Sequence, residues 1–358
     1  MKFRYPFLAL FLIVSVSLAQ FQPQTRAELD TGVDLWISDN ATALSTYGDI
    51  NTWDVSLITD MSGLFFDESW SGYYNDFNSD ISSWNVSNVI FMQEMFTGVG
   101  AFNQDISNWD VSSVTNMNAM FQDAQSFNQD ISGWNVGDVQ DMSYMLRGTN
   151  DFDGYISGWN TENVQNMEYM FQYASYNRDI SDWNVESVTN MLGMFHEAQS
   201  FNQDISDWDV SNVTDMGDMF NSADSFNQDI SDWDVSSVTN MNEMFDGADA
   251  LSDENKCAIH TSWSTQNAAW PYDWGLCPFQ TKAELQTAVD LWVSDSTQAE
   301  AAYGHISDWD VSLITDMSGL FQDKDTFNDD ISNWDVSSVT NMIEMFKFSS
   351  SFDHDLSS

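Results

Sequence analysis

The sequence predicts an α/β solenoid: short parallel strands and short helices stacked as coils of about 25 residues, in two capped modules. Three observations carry this reading. A tryptophan recurs at Trp53, Trp84, Trp109, Trp134, Trp159, Trp183, Trp208 and Trp233, and again at Trp309 and Trp334. From Trp84 to Trp233 the steps are 25, 25, 25, 24, 25 and 25 residues. Around each tryptophan one phrase repeats, as in Phe102-Asn-Gln-Asp-Ile-Ser-Asn-Trp109-Asp-Val-Ser-Ser-Val-Thr-Asn-Met117-Asn-Ala-Met120-Phe121. Residues 25–65 and 281–321 are close copies at a constant offset of 256. A fixed period of this size means units that bury their apolar faces only against their neighbours.

The elements follow in chain order. Residues 1–19 read as a secretory signal peptide, with Lys2 and Arg4 before an apolar run from Phe7 to Val16 and small residues at Ser17 and Ala19. The first module spans 20–278. Its helical cap, 25–39, opens on the capping box Thr25-x-x-Glu28 and carries an apolar stripe of Leu29, Val33, Trp36 and Ile37. Repeats then occupy about 46–250. In each repeat, Ile106-x-x-Trp109-x-Val111 with outward Asp110 has the alternation of a strand. Val114, Met117, Phe121 and Ala124 then fall at the spacing of one helical face. A recurring asparagine (Asn78, Asn103, Asn128, Asn177, Asn202, Asn227 and Asn328) predicts a coil-to-coil amide ladder.

Residues 251–278 form the opposite, Cys- and Trp-rich cap. Its two cysteines, Cys257 and Cys277, lie 20 residues apart and read as a disulfide in an exported protein. The second module, 279–358, repeats the plan with a helical cap at 281–295, two repeats and a truncated third begun by Phe352 and Leu356.

Composition bounds the function. Nine Lys and Arg face 56 Asp and Glu, a formal net charge of −47. Nucleic-acid binding requires cations to neutralise phosphates, so that class is excluded as an expected partner. At 42% hydrophobic and 15% aromatic the chain has enough apolar content to fold. No segment beyond the signal peptide has the length and apolarity of a membrane span.

Candidate sites divide into core and surface. The ladder Trp84, Trp109, Trp134, Trp159, Trp183, Trp208, Trp233, Trp309 and Trp334 is expected in the core, together with the Met-x-x-Met pairs, which share a face with core Val and Phe. The candidate binding face is acidic: Asp110, Asp182, Asp207, Asp209, Asp232 and Asp234. Stacked carboxylates repel, and calcium relieves such repulsion with oxygen ligands, so Asp207, Asp209, Asp232 and Asp234 are the calcium candidates, and no other cofactor is expected. Glycosylation sequons occur at Asn40, Asn85 and Asn212 and matter only in a eukaryotic source. No catalytic residue is expected, because His196, His260, His305 and His354 do not recur with the repeat.

The phrase Phe-Asn-Gln-Asp-Ile-Ser-x-Trp-Asp-Val-Ser-x-Val-Thr-x-Met-x-x-Met-Phe, as at 201–220 and 226–245, resembles the BspA-like leucine-rich-repeat surface proteins. The likeness is to their 25-residue repeat group, first described in mycoplasma lipoproteins as a domain of unknown function. The resemblance implies a leucine-rich-repeat-type solenoid, exported, at the cell surface or secreted. It implies a non-catalytic surface for adhesion to an extracellular protein or glycan. The alternative expectation is an acidic, calcium-bridged structural component of an extracellular coat or matrix.

Overall fold

The structure, a computed structural model, describes residues 20–66, 76–272, 274 and 277–356. The signal-peptide reading of 1–19 lies outside these residues. Five helices occur among them: α1 (Arg26–Ser38), α2 (Asn40–Tyr47), α3 (Asp253–Gln266), α4 (Lys282–Ser294) and α5 (Ser296–Tyr303). Single 3-10 turns follow α2 and α5 at Ile50–Thr52 and Ile306–Asp308. The helices flank the repeats, and the two 3-10 turns form the Ile-x-x-Trp segments that lead into Trp53 and Trp309. Thr25 and Thr281 cap α1 and α4 by accepting the N–H of Glu28 and Glu284, and the Glu284 side chain completes the box on α4.

The repeats themselves overturn the expected fold class. Among the described residues there is no strand, so the chain is not an α/β leucine-rich-repeat-type solenoid. Isolated parallel bridges, one per junction, run Asp60–Phe91, Phe91–Asn116, Asn116–Asp141 and onward to Asp215–Asn240, then Asp316–Asn341. Nor does the Val114–Ala124 segment form a helix. Each coil is a succession of tight turns instead. In the coil of Trp109, N–H groups bond three residues back: Trp109 to Ile106, Val114 to Val111, Met120 to Met117, Gln122 to Ala119 and Ala124 to Phe121, all at 2.9–3.1 Å.

The reason lies in how the peptide groups divide. Between Asn116 and Asp123, every second peptide group makes these in-plane turns, and the others lie along the stack. Met92 N–H donates to Asn116 O (3.0 Å), Met117 to Asp141 O (2.9 Å), Met142 to Asn166 O (3.0 Å) and Met167 to Asn190 O (3.0 Å). Three more columns run in the same sense, through Ala119 to Ser143 O (2.7 Å), Phe121 to Met145 O (3.0 Å) and Asp123 to Arg147 O (2.7 Å). A helix would need both sets of peptide groups for its own i→i+4 ladder. The turns at 106–109, 111–114 and 117–120 leave only one or two residues between them, fewer than the roughly three of the shortest strands. The apolar spacing of Val114, Met117, Phe121 and Ala124 mimics a helical face because consecutive turns also return the chain inward every three or four residues.

Inward side chains fill each coil completely. Phe102, Ile106, Val114, Met117, Met120, Phe121 and Ala124 are all 0% exposed. Phenylalanines pack in two adjoining columns, with Phe96–Phe121 centroids 5.5 Å apart and Phe121–Phe127 3.9 Å apart. Burying one such side chain contributes about 1.5–3 kcal/mol, whereas a backbone hydrogen bond nets about 0.5–1.5 kcal/mol. Apolar burial therefore drives stacking, and the axial hydrogen bonds fix its register.

The axial columns are polar, with carbonyls facing the start of the stack and N–H groups its end. Arg26 of α1 donates from Nη1 to Asp60 O (3.3 Å) and from Nη2 to Ser62 O (2.7 Å), closing two first carbonyls. In the second copy Gln286 of α4 donates to Leu320 O (3.0 Å), while Lys282 reaches the Ser318 hydroxyl (2.6 Å). At the far end of the first array, Phe245 N–H donates to the Tyr272 hydroxyl (2.9 Å). Asn267 Nδ2 donates to Val235 O (2.6 Å) and Val238 O (2.7 Å). Cys257 and Cys277 are joined as a disulfide that ties α3 to the segment after Trp274. Buried apolar side chains form two clusters, one ending at Trp263 and one beginning at Phe279.

Two stability outcomes follow from the caps. Arg26→Met leaves two carbonyls without their charged donor and should cost about 1–3 kcal/mol, read as a lower urea midpoint. The double variant Cys257→Ser/Cys277→Ser opens a loop whose closure is worth about 3 kcal/mol, and its melting temperature should fall while the repeat signal in circular dichroism persists.

Candidate functional site

The tryptophan ladder is placed inside the stack: Trp84, Trp109, Trp134, Trp159, Trp183, Trp208, Trp233, Trp309 and Trp334 are 1–6% exposed. Each indole N–H is satisfied by a carbonyl. Trp109 Nε1 donates to Ile81 O (3.3 Å), Trp134 to Ile106 O (3.2 Å) and Trp334 to Ile306 O (2.8 Å), so the isoleucine carbonyl of one coil receives the indole of the next. The asparagine column bonds coil to coil as well. Asn103 Oδ1 accepts Asn128 N–H (3.0 Å), and Asn202 Oδ1 accepts Asn227 N–H (2.8 Å).

The acidic rows do something the sequence reading missed. Asp110, Asp209 and Asp234 each accept the N–H of the serine two residues on, at 3.0–3.1 Å. Asp105, Asp130, Asp179, Asp204 and Asp229 do the same one turn earlier, at 2.9–3.0 Å. A third set closes the turn after Thr115, where Asn116, Asp141 and Asn166 accept the N–H of residues 118, 143 and 168. These are Asx turns, in which a short carbonyl-bearing side chain imitates the backbone. In the Asp110 row, Asn85, Asn135, Asn160 and Asn184 make the same bond at 3.0–3.3 Å. What the position requires is an acceptor oxygen, and charge is incidental.

That use of the carboxylates bears on the calcium candidates. Asp207 and Asp232 are exposed beside Trp208 and Trp233, and Asp182 beside Trp183. Asp209 and Asp234 have their Oδ1 atoms committed to Ser211 and Ser236. Among the described residues no group of three or more His, Cys, Asp or Glu side chains is placed to hold a metal ion. The sequons are placed on the surface. Asn40 is the exposed first residue of α2. Asn85 serves an Asx turn, and Asn212 Nδ2 donates to Glu186 O (2.9 Å).

If the repeated polar positions build turns, recognition must be sought where repeats differ. Two columns stand out. One comprises Gly63, Glu94, Ala119, Tyr144, Tyr169, Gly193, Asp218 and Glu243; the other Gly98, Asp123, Gly148, Tyr173, Glu197, Ser222 and Gly247. Every one of these residues has φ between 50° and 73°, the left-handed region that turns alternate peptide groups along the stack. Side chains here and at the neighbouring positions 118 and 122 share one face. Its chemistry changes from coil to coil while the core does not. Near the middle of the first array it carries Tyr144, Arg147, Glu168, Tyr169, Tyr173 and His196. Tyr144 Oη donates to Glu168 Oε1 (2.7 Å). Arg147 pairs with Asp123 (3.1 Å), donates to Gln172 Oε1 (2.7 Å) and lies 5.3 Å from the Tyr173 ring centroid. Burial first, then the Glu168 bond, raises the Tyr144 hydroxyl above the ordinary phenol range. Aligning the chain against itself and marking the unequal positions would have found this face from sequence alone.

The fold and this face define a class: a turn-built repeat protein with a nearly uniform interior and a surface that varies from coil to coil. The chain matches the family described as "Mycoplasma protein of unknown function, DUF285" over residues 36–155, 142–258 and 291–358. It belongs to that family. No curated protein and no solved structure matches it. No described helix is long and apolar enough to cross a membrane.

Acid tests the turn assignment. Hydrogen bonds from Ser211 and Ser236, side chain first and then backbone, hold the Asp209 and Asp234 carboxyls below the usual carboxylate range. A carboxyl lowered by folding adds stability above the unfolded value of about 4, and that contribution is lost as pH falls through the lowered value. Asn at both positions keeps the acceptor and does not titrate. Asp209→Asn/Asp234→Asn should therefore melt slightly below the parent near pH 7, where the charged acceptors contribute, and lose less than the parent does below about pH 4.

Proposed function

We propose that this chain is an exported, non-catalytic repeat protein that presents its variable face to an extracellular partner. One observation carries the reading: a nearly uniform core and uniform Asx turns support a face on which neighbouring coils bear unlike side chains. Repeat arrays bind through such surfaces, because each coil contributes a few side chains at fixed spacing on a rigid support. Export is supported by the sequence of residues 1–19 and by the Cys257–Cys277 disulfide, which suits an oxidising compartment. The likeness of the repeat phrase to BspA-like surface proteins supports display at the cell surface and adhesion. A net charge of −47 keeps such a chain dispersed and disfavours polyanionic partners.

The test sets two faces against each other. One variant replaces variable-face side chains, Glu94→Ala/Arg147→Ala/Asp218→Ala/Glu243→Ala. The other, Asp110→Asn/Asp207→Asn/Asp209→Asn/Asp232→Asn/Asp234→Asn, discharges the acidic rows. Attachment of the purified chain to immobilised extracellular-matrix and cell-surface fractions should fall at least tenfold in the first and stay within twofold of the parent in the second. The reverse pattern would return recognition to the acidic rows.

A further inference from the structure

Within the variable face, the tyrosines occupy positions that turn formation alone would not choose. Tyr144, Tyr169 and Tyr173 have φ of 58°, 50° and 60°, where a bulky side chain costs energy and glycine does not. The other coils of the first array put glycine, alanine, serine, aspartate or glutamate there, and in the second array Phe348 is the one aromatic residue in these columns. Strained residues persist where the surrounding structure holds them for a purpose, and binding clamps are one such place. The neighbouring coil makes room for them: a Cβ at Gly193 would overlap the Tyr169 ring. The result is a row of ring faces, with Tyr144 and Tyr169 centroids 5.3 Å apart and His196 6.1 Å from both Tyr169 and Tyr173. Tyr173 is 40% exposed.

Hydrogen-bonding groups border the rings and are held in place. Arg147 is fixed by Asp123 and Gln172, and Glu168 by the Tyr144 hydroxyl and by Asn190 Nδ2 (3.1 Å). Flat aromatic faces stack on the C–H faces of pyranose rings, and oriented carboxylate, amide and guanidinium groups take up their hydroxyls. The charge of −47 repels acidic or sulfated sugars. The patch is also small. Two half-buried tyrosines and one exposed one fall short of the ~800 Å² per partner of a standard protein interface.

We propose that this tyrosine patch, centred on Tyr169 and Tyr173, is a binding site for neutral oligosaccharides. The proposal rests on the variable face being the recognition surface and names its ligand class.

The experiment presents the full chain to an array of neutral oligosaccharides (gluco-, manno-, galacto- and chito-oligomers) beside sulfated and sialylated ones. The parent should bind one or more neutral series and neither acidic series. Tyr173→Gly and Tyr169→Gly should each reduce that binding at least tenfold. Tyr173→Gly should melt no lower than the parent, because glycine suits φ near 60°, which separates lost binding from lost folding. Binding that survives both substitutions, or is confined to acidic sugars, would overturn the proposal. If no sugar binds, yet attachment to matrix fractions still depends on Glu94, Arg147, Asp218 and Glu243, the glycan proposal fails and the variable-face reading stands. If both are lost, both fail.

Discussion

Every coil of this protein depends on turning alternate peptide groups along the stack. The peptide of Asn116 and Met117 points its carbonyl at Met92 N–H and its own N–H at Asp141 O, and three neighbouring peptides do likewise. Left-handed residues at Ala119 and Asp123 make this alternation possible. The period then follows, because an insertion between Met117 and Asp123 would put N–H against N–H in every later column. The single 24-residue step, from Trp159 to Trp183, falls outside that stretch. Tyr173 N–H still reaches His196 O and Met167 N–H still reaches Asn190 O, so the shorter coil gives up its residue in the segment that follows Tyr173.

Much of this was legible in the sequence, and the failures have a common cause. The tryptophan spacing located every coil, and the Thr-x-x-Glu boxes located α1 and α4 to within a residue. Cys257 and Cys277 were paired from their context. The strand and the short helix were misread because inward spacing reports only how often a chain returns to the core. Trp109 and Val111 alternate as in a strand, yet Ile106–Trp109 and Val111–Val114 are closed turns. Periodicity cannot separate a helix from consecutive turns of similar pitch, but composition can. Asn116 accepts the Asn118 N–H two residues on, and Ser113, Thr115 and Asn118 bond carbonyls of adjacent coils, so these polar side chains favour turns and stacking over a helix.

The acidic rows carry a second role that their spacing did not reveal. Asp110, Asp209 and Asp234 were singled out as a candidate binding face because they are polar and repeated, and they also build turns. Strict repetition in an array instead marks what stacking requires, and here it requires a side-chain oxygen two residues before a turn amide. Exchange of Asp110 for Asn135 at one position within the same chain settles which property matters. Part of the large negative charge is then a by-product of turn chemistry. Each coil uses about three Asx residues, and where the choice falls on aspartate a charge comes with it.

A division of labour follows from the geometry. Inward positions are fixed by packing, and the Asx positions by the turns. The outer ends of the axial columns are closed by groups matched to their polarity, a guanidinium from Arg26 at the carbonyl end and a phenol from Tyr272 at the amide end. This leaves the left-handed columns. Their backbone is constrained more tightly than any other part of the coil, but their side chains point away from the stack and touch only adjacent coils. A glycine there would ease the backbone, so each larger side chain at these sites needs a reason beyond folding. Tyr144, Tyr169 and Tyr173 are the largest side chains in these columns of the first array, and they cluster in adjacent coils. The proposed binding at that patch would account for both their size and their clustering.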